Sequence, residues 1–462
     1  MNELAWFLDD GTPLRRYAVE LLTEAVGLRA RLLDRPPDDG TPYVHHGTAR
    51  DARAAALIIP AEPGSRPAVE AGLRRDGMHW TLDADVVEGT AALATDAVHA
   101  GVDRGGLDRH GRLRSDASYL AARGAAGAPV VNRFVAAIEQ ALPLLGSFSP
   151  HPRWPDGRRA AIGLSHDVDR PDKYAILRAA RSLRLPPPRR LPWFVARTIR
   201  DLAHRIRDRR PNDFWLFDEV VAAEAAYGLR STFLFSVMPA YGPYGSTNDV
   251  LYDAAWPHLR RAMRTLREAD IELGLHASYH AYRDPARFVA ERARLEELSG
   301  GPVRGLRHHF WQVGPDLART LRAHEAAGFA YDSSIAFNDV AGLRRGIALP
   351  YRPWDAAQER PLTTWQLPVI ALDSAVCTTM RSAQEGIDTV WAALEGVIDA
   401  GGVAVLDWHV RCSVPANDRY RAWGEVYLGV VERLAARADV WTAGLGEIAD
   451  WAQRRSDLIA AP

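Results

Sequence analysis

From about residue 159 the chain settles into short apolar runs separated by helical stretches, and this alternation limits its fold more than any other feature. Runs at 160–166, 230–237, 270–275, 303–308, 328–332, 364–372, 402–408 and 438–443 read as strands. Helical spacing over 214–227, 286–299 and 316–327 reads as crossovers between them. Strands alternating with helices lie parallel in one sheet, since a parallel return needs a crossover. Eight strands in about 300 residues suit a distorted (β/α) barrel better than an open doubly wound sheet. Upstream, residues 14–33 carry helical apolar spacing (Leu14, Tyr17, Leu21, Leu22, Val26). The run 54–60 reads as a strand ended by Pro60, and 130–145 as a helix. The loop 146–158, with Pro150, Pro152, Pro155 and Gly157, marks a boundary. The expectation is an α/β chain with a smaller accessory α/β domain at 1–150 and a barrel at 155–462.

Charge narrows the partners. The 462 residues carry 57 Lys plus Arg against 58 Asp plus Glu, a formal charge of −1, which argues against nucleic-acid binding. That balance is an average. Segment 170–210 holds 13 basic and three acidic residues, a net +10, leaving −11 elsewhere. Within it Trp193, Phe194, Ile199, Leu202, Ala203 and Ile206 follow Pro186-Pro187-Pro188 with the spacing of an amphipathic helix. Such an insertion can pack its stripe on the barrel, lie on a membrane surface or clamp an anionic substrate. The single lysine, Lys173, sits between Asp172 and Tyr174, so no phosphate-binding loop is present. Cys377 and Cys412 form no CxxC and read as small buried residues. No apolar run reaches 18 residues, and the first residues lack a basic-then-apolar leader. The expected location is cytoplasmic, peripheral to the membrane if the basic segment binds lipid.

The chemistry gathers where apolar runs end. Five clusters stand at the C-terminal ends of expected strands: Ser165-His166-Asp167-Val168-Asp169, His276-Ala277-Ser278-Tyr279-His280, Arg307-His308-His309, Asp332-Ser333-Ser334 and Asp407-Trp408-His409. Barrel enzymes build their sites at that pole from several strands at once. His276 and His280, spaced i, i+4, fall on one face of a helical turn, a geometry used to chelate zinc. With one carboxylate of the Asp167/Asp169 pair they make a three-ligand set with an open position for water, whose pKa an ion lowers. Elsewhere, His45-His46 reads as a surface or loop pair. One of His308 and His309 is expected to line the pocket and the other to pack, and Trp354 and Trp408 are the pocket tryptophans.

Taken together these clusters resemble the NodB-homology polysaccharide deacetylases, carbohydrate esterase family four and its relatives, over roughly 155–450. His166-Asp167-Val168-Asp169 matches the first motif in its separated-carboxylate form, and His276 to His280 the second, with Ala277 at the usual hydroxyl position. Arg307 matches the third motif and His409 the fifth, while Asp332 to Ser334 and Tyr351 to Asp355 compete for the fourth. The resemblance implies a distorted barrel of the polysaccharide deacetylase type with a divalent metal, zinc first, on Asp169, His276 and His280. It makes Asp167 the general base, Arg307 the partner that keeps it ionised and His409 the general acid, with Asp373 orienting His409. The implied reaction is metal-dependent removal of an acetyl group from an N-acetylated sugar or glycoconjugate. Hydrolysis of a non-sugar C–N bond and a non-catalytic carbohydrate-binding relative are the alternatives.

Overall fold

The computed structural model describes residues 2–48, 57–62, 67–76, 79–207 and 212–461. The N-terminal part is a sheet of β1 (Glu3–Leu8), β2 (Arg29–Leu32), β3 (Val44–Gly47), β4 (Leu57–Pro60), β5 (Leu73–Asp76) and β6 (His79–Leu82) in the order β2-β1-β3-β4-β6-β5. All pairs are parallel except β5 with β6. Helices α1 (Pro13–Val26), α2 (Val86–Ala94) and α3 (Val130–Leu145) pack against it, burying Trp6, Leu22, Ile59 and Phe134.

The helical spacing of 14–33 runs further than the helix does. Thr12 caps α1 by accepting from the Arg15 N–H, and Pro13 supplies a preset φ at its first position. Gly27 then ends it at φ 103, where a Cβ would lie 2.4 Å from the His151 carbonyl oxygen. The following residues pair with β1 instead. Of the expected strand 54–60, residues 57–60 form β4 and 54–56 lie outside the described residues.

The second sheet holds β7 (Ala160–Val168), β8 (Thr232–Phe235), β9 (Leu273–Ala277), β10 (Gly305–His308) and β11 (Tyr331–Asp332). After a hairpin of β12 (Trp354–Asp355) and β13 (Arg360–Pro361) it continues with β14 (Trp365–Gln366), β15 (Val369–Leu372), β16 (Val403–Asp407) and β17 (Val440–Ala443). Its order is β14-β11-β10-β9-β8-β7-β16-β15, with β17 against the first half of β7, and every pair is parallel. The two ends of that row, β14 and β15, are halves of one run joined by Leu367-Pro368. The sheet therefore curls until its ends meet, and the expected distorted (β/α) barrel forms. Pro368 cannot donate to a ladder, so the run 364–372 splits there, Leu367 N bonding to Asp332 O on one side and Val405 N to Pro368 O on the other.

Around the barrel lie α4 (Ala175–Arg181), α5 (Leu191–Arg207), α6 (Phe217–Ala225), α7 (Pro257–Glu268), α8 (Pro285–Ser299), α9 (Leu317–Ala326), α10 (Asp373–Cys377), α11 (Ala383–Asp399), α12 (Arg421–Ala435) and α13 (Leu445–Ala460), whose Leu445 and Ile448 reach the inward-facing strand residues. Inside, the two-residue period of each strand sends Val403, Val405 and Ala161 into one core cluster and Leu406, Ala404 and Leu164 into another against the outer helices. The two sheets share packing: Ile347, Leu349 and Tyr351 sit in the N-terminal core, and the Asn132 side chain bonds both backbone groups of Ala348.

Gly305 begins β10 because the Tyr331 ring occupies the space a side chain would need, within 1.9 Å of an added Cβ. Gly305→Ala is expected to destabilise the fold by ~1–3 kcal/mol through overpacking, read as a lowered melting temperature; an unchanged melting curve would contradict the packing described.

Candidate active site

The strand period that builds the barrel also sorts the polar clusters. On β7, Ser165 and Asp167 point inward while His166 points out to α6 and α12, where it meets Glu224 at 2.7 Å and Tyr427 at 3.3 Å. On β10, Arg307 points inward, and His308 points out to pair with His324 at 2.8 Å. His309, the next residue, lines the central cavity.

Arg307 is fully buried. Its Nη1 lies 2.9 Å from Asp167 Oδ1 and 3.0 Å from Asp407 Oδ1; Nη2 donates to the Ser165 and Ser333 hydroxyls, and Nε to the Ser333 carbonyl. Burial works against ionisation of Asp167, and the groups facing it, His276, Arg307 and His409, overcome that and hold its carboxyl below the ordinary range. Burial pushes His276 down to about 4, so near neutrality Arg307 and His409 are the cations that keep Asp167 charged. Burial, with the Asp167 carboxylate nearby, pushes Asp407 well above the ordinary carboxyl range on the other side of Arg307.

A second charge group faces the same cavity. Asp169 is ion-paired with Arg411, and its Oδ2 lies 3.3 Å from His409 Nε2. His409 Nδ1 contacts Asp373 Oδ2 at 2.7 Å, and that oxygen also accepts from the His409 N–H and the Cys412 thiol. Burial would lower His409, but the carboxylates of Asp169 and Asp373 outweigh it and hold the imidazolium well above its usual range. Asp169 and Asp373 are held low in return, against burial, by Arg411 and His409 and by His409 respectively.

Asp167, Asp169, His276 and His409 thus line one cavity of about 240 Å³, with His309, Asp407, Arg411, Arg112 and the rings of Phe310 and Trp311. An adjoining cavity of about 300 Å³ shares Asp169, His309 and Phe310 and adds Arg170, Trp193 and Arg197. Phe310 and Trp311 stand at φ 58 and φ 50, a region bulky residues enter at a cost of ~1–3 kcal/mol each. Arg112, in a loop of the N-terminal part, donates to the Phe310 carbonyl at 2.7 Å, and the His110 ring lies tilted against the Phe310 ring.

His280 is not part of this set. His276 is the fourth residue of β9, not the start of a helical turn, and the chain turns after Ala277. Ser278 anchors that turn through its N–H and hydroxyl to buried Glu291, and Tyr279 through its N–H to Asp249. The His280 ring is left against Tyr279 and Tyr282, outside the cavity lining. The cavity instead presents two donor pairs, Asp167 with His276 at 3.7 Å and Asp169 with His409. The expected trio of Asp169, His276 and His280 therefore does not fit one ion as arranged. Among the described residues the three donors close enough to share an ion are Asp373, His409 and Cys412. Their 2.7–2.9 Å contacts to one carboxylate oxygen are hydrogen bonds, shorter than the separation of roughly 3.3 Å between two ligands of a tetrahedral zinc.

Other expectations shift for local reasons. His45 and His46 are buried on β3, each beside a carboxylate, Asp9 at 2.6 Å and Asp85 at 3.0 Å. Trp408 is core, and Trp354 packs on the N-terminal cluster. Of the adjacent pair His308 and His309, His309 lines the pocket and His308 packs, as expected; Asp407 lies inside an expected cluster, while Arg411 and Arg112 carry no signal in the sequence.

No protein-family model matches the chain, and no curated protein matches it. Solved structures do. A Mycobacterium smegmatis protein described as a polysaccharide deacetylase is similar at 17% identity over 67% of this chain and 96% of that one, with a TM-score of 0.44. Puue allantoinase is similar at 15% identity over 66% and 94%, with a TM-score of 0.41. A Bacillus anthracis CE4 family pseudoenzyme is similar at 8% identity over 65% and 67%, with a TM-score of 0.34.

Burial raises Glu291 from 4.5 to about 7. A buried acid whose pKa is raised on folding favours the fold most at pH below its unfolded value and loses that advantage as pH climbs through the folded one. The melting temperature of Glu291→Gln relative to wild type should therefore rise by about 2–4 °C or more between pH 4.5 and 7.5; a constant difference would place Glu291 outside this role.

Proposed function

We propose that the central cavity hydrolyses the amide bond of an N-acetylated sugar or related glycoconjugate. The observation that carries this reading is a carboxylate, Asp167, paired with Arg307, and an imidazole, His409, held between the carboxylates of Asp169 and Asp373, lining one cavity. Amide hydrolysis needs both: a base for water and an acid for the departing nitrogen. Asp167 takes a proton from water as the oxygen bonds to the carbonyl carbon. His409 gives its proton to nitrogen as the C–N bond breaks, and Asp373 keeps that imidazole oriented and charged. Charge developing on the carbonyl oxygen meets the cationic side of the cavity, where Arg411 stands. A divalent ion on Asp169, His276 and His280 is not used in this route, because the three side chains do not converge. Arg170 and Arg197 in the adjoining cavity favour a substrate that also carries an anionic group.

Acetate release across a panel of N-acetyl glycosides and nucleotide sugars tests the reading. Asp167→Asn and His409→Gln are each expected to lower kcat/KM by about 10²–10⁴-fold in protein that still melts cooperatively, and prior chelation of the wild type to leave its rate unchanged. No release from any substrate would remove the deacetylase reading; loss on chelation with recovery on added zinc would restore the ion.

His409 must be protonated to act, so the rate should fall on an alkaline limb set by its pKa. Asp373→Asn removes one of the two carboxylates holding that pKa up and should move the limb to lower pH by about one unit or more. An unmoved limb would take the general-acid role from His409.

A further inference from the structure

The basic insertion does not bury its apolar stripe. Exposed large apolar side chains are scattered singly over the described residues except on the arm 183–206. There Leu183 and Leu185 stand in the turn leading in, and Leu191, Val195, Ile199, Leu202 and Ile206 follow along α5, with exposures from 41% at Leu191 to 83% at Leu183. At about 100° per residue those five lie within an arc of about 80°. What α5 turns to the protein is a different face: Phe194, buried against Tyr241, and Asp201, buried and accepting from the Leu177 N–H.

The charges around the stripe are of one sign. Residues 183–207 hold seven arginines, of which Arg184 is paired with Asp253 and Arg197 faces inward, and their one carboxylate, Asp201, is buried. Arg200 and Arg207 fall on one side of the stripe and Arg205 on the other. A second copy of the chain would oppose this face with the same charges. We propose that the outer face of α5 docks on an anionic lipid surface, its apolar stripe lying among the acyl chains and its arginines at the headgroups. No described helix is long and apolar enough to cross a membrane, so the helix lies in the interface plane. The inner face of α5 carries Trp193 and Arg197 into the cavity beside Asp169, so docking holds that cavity close to the leaflet. The proposal does not rest on the catalytic reading, because binding is measured without substrate.

The test is sedimentation of the full chain with vesicles of phosphatidylcholine alone or with about one third phosphatidylglycerol. Expected is binding to the anionic vesicles only, weakened about tenfold or more by about 0.5 M salt, by Val195→Asp with Ile199→Asp, and by Arg200→Glu with Arg205→Glu. These side chains are exposed, so melting curves should stay those of wild type. Absence of binding to anionic vesicles, or equal binding by both variants, overturns the proposal. So does a concentration-dependent dimer, or capture of an acidic protein partner, that the aspartate variant abolishes while vesicle binding is missing.

Discussion

A guanidinium with no access to water sits at the centre of the barrel's C-terminal pole, and the rest of the site is arranged to make that tolerable. Placing a charge there costs several kcal/mol unless its donors are met and its charge is matched. Arg307 is met by Asp167, Asp407, Ser165 and both polar groups of Ser333. These partners come from β7, from β16 and from the turn after β11, so one side chain from β10 fixes the relative positions of three other parts of the barrel. Lysine, with three donors on a flexible stem, could not span that set. The requirement also fixes protonation. One positive charge lies between two buried carboxyls, so their ionisation is linked, with Asp167 held below the ordinary range and Asp407 above it.

Asp169 follows the same rule of local neutralisation with a different partner. A carboxylate facing the cavity could be balanced by a bound ion or by a cation of the chain itself, and Arg411 is already paired with it. His409 then becomes the link between Asp169 and Asp373, charged because it stands between two carboxylates. His409 and the counter-charge to Asp169 thus belong to one network, and the arginine in it sets what Asp169 can do.

The strands are legible as short apolar runs between helical stretches, and five of those runs end in His, Asp or Arg at the barrel's C-terminal pole. Arg307, Asp167, Asp169, His276, His409 and Asp373 do meet at the pole, since strand register brings them there. The sequence was misleading where spacing stood in for backbone conformation. The i, i+4 separation of His276 and His280 implies a shared face only in a helix, and here a strand turns between them onto Asp249 and Glu291. Arg411 and Arg112 were beyond reach for another reason. Arg112 sits in a loop and Arg411 in a single 3-10 turn, too short for any periodicity to show which way a side chain points.

Arg112 gives the N-terminal part a place in this chemistry. Two consecutive bulky residues at positive φ hold only where their surroundings leave no cheaper conformation. Phe310 and Trp311 follow β10 directly, so the fixed strand that carries Arg307 sets one end of the strained turn. The other constraints come from residues 108–112: Arg112 holds the Phe310 carbonyl while Asp108 holds Arg112, and Gln312 donates to the His110 carbonyl. His110 also meets the Tyr279 hydroxyl in the turn after β9. The loop is therefore tied to both strand ends that flank the cavity, and the aromatic wall stands where it does only while that loop is in place. The N-terminal part, whose helices α2 and α3 bracket that loop in the chain, is thus part of what shapes the cavity.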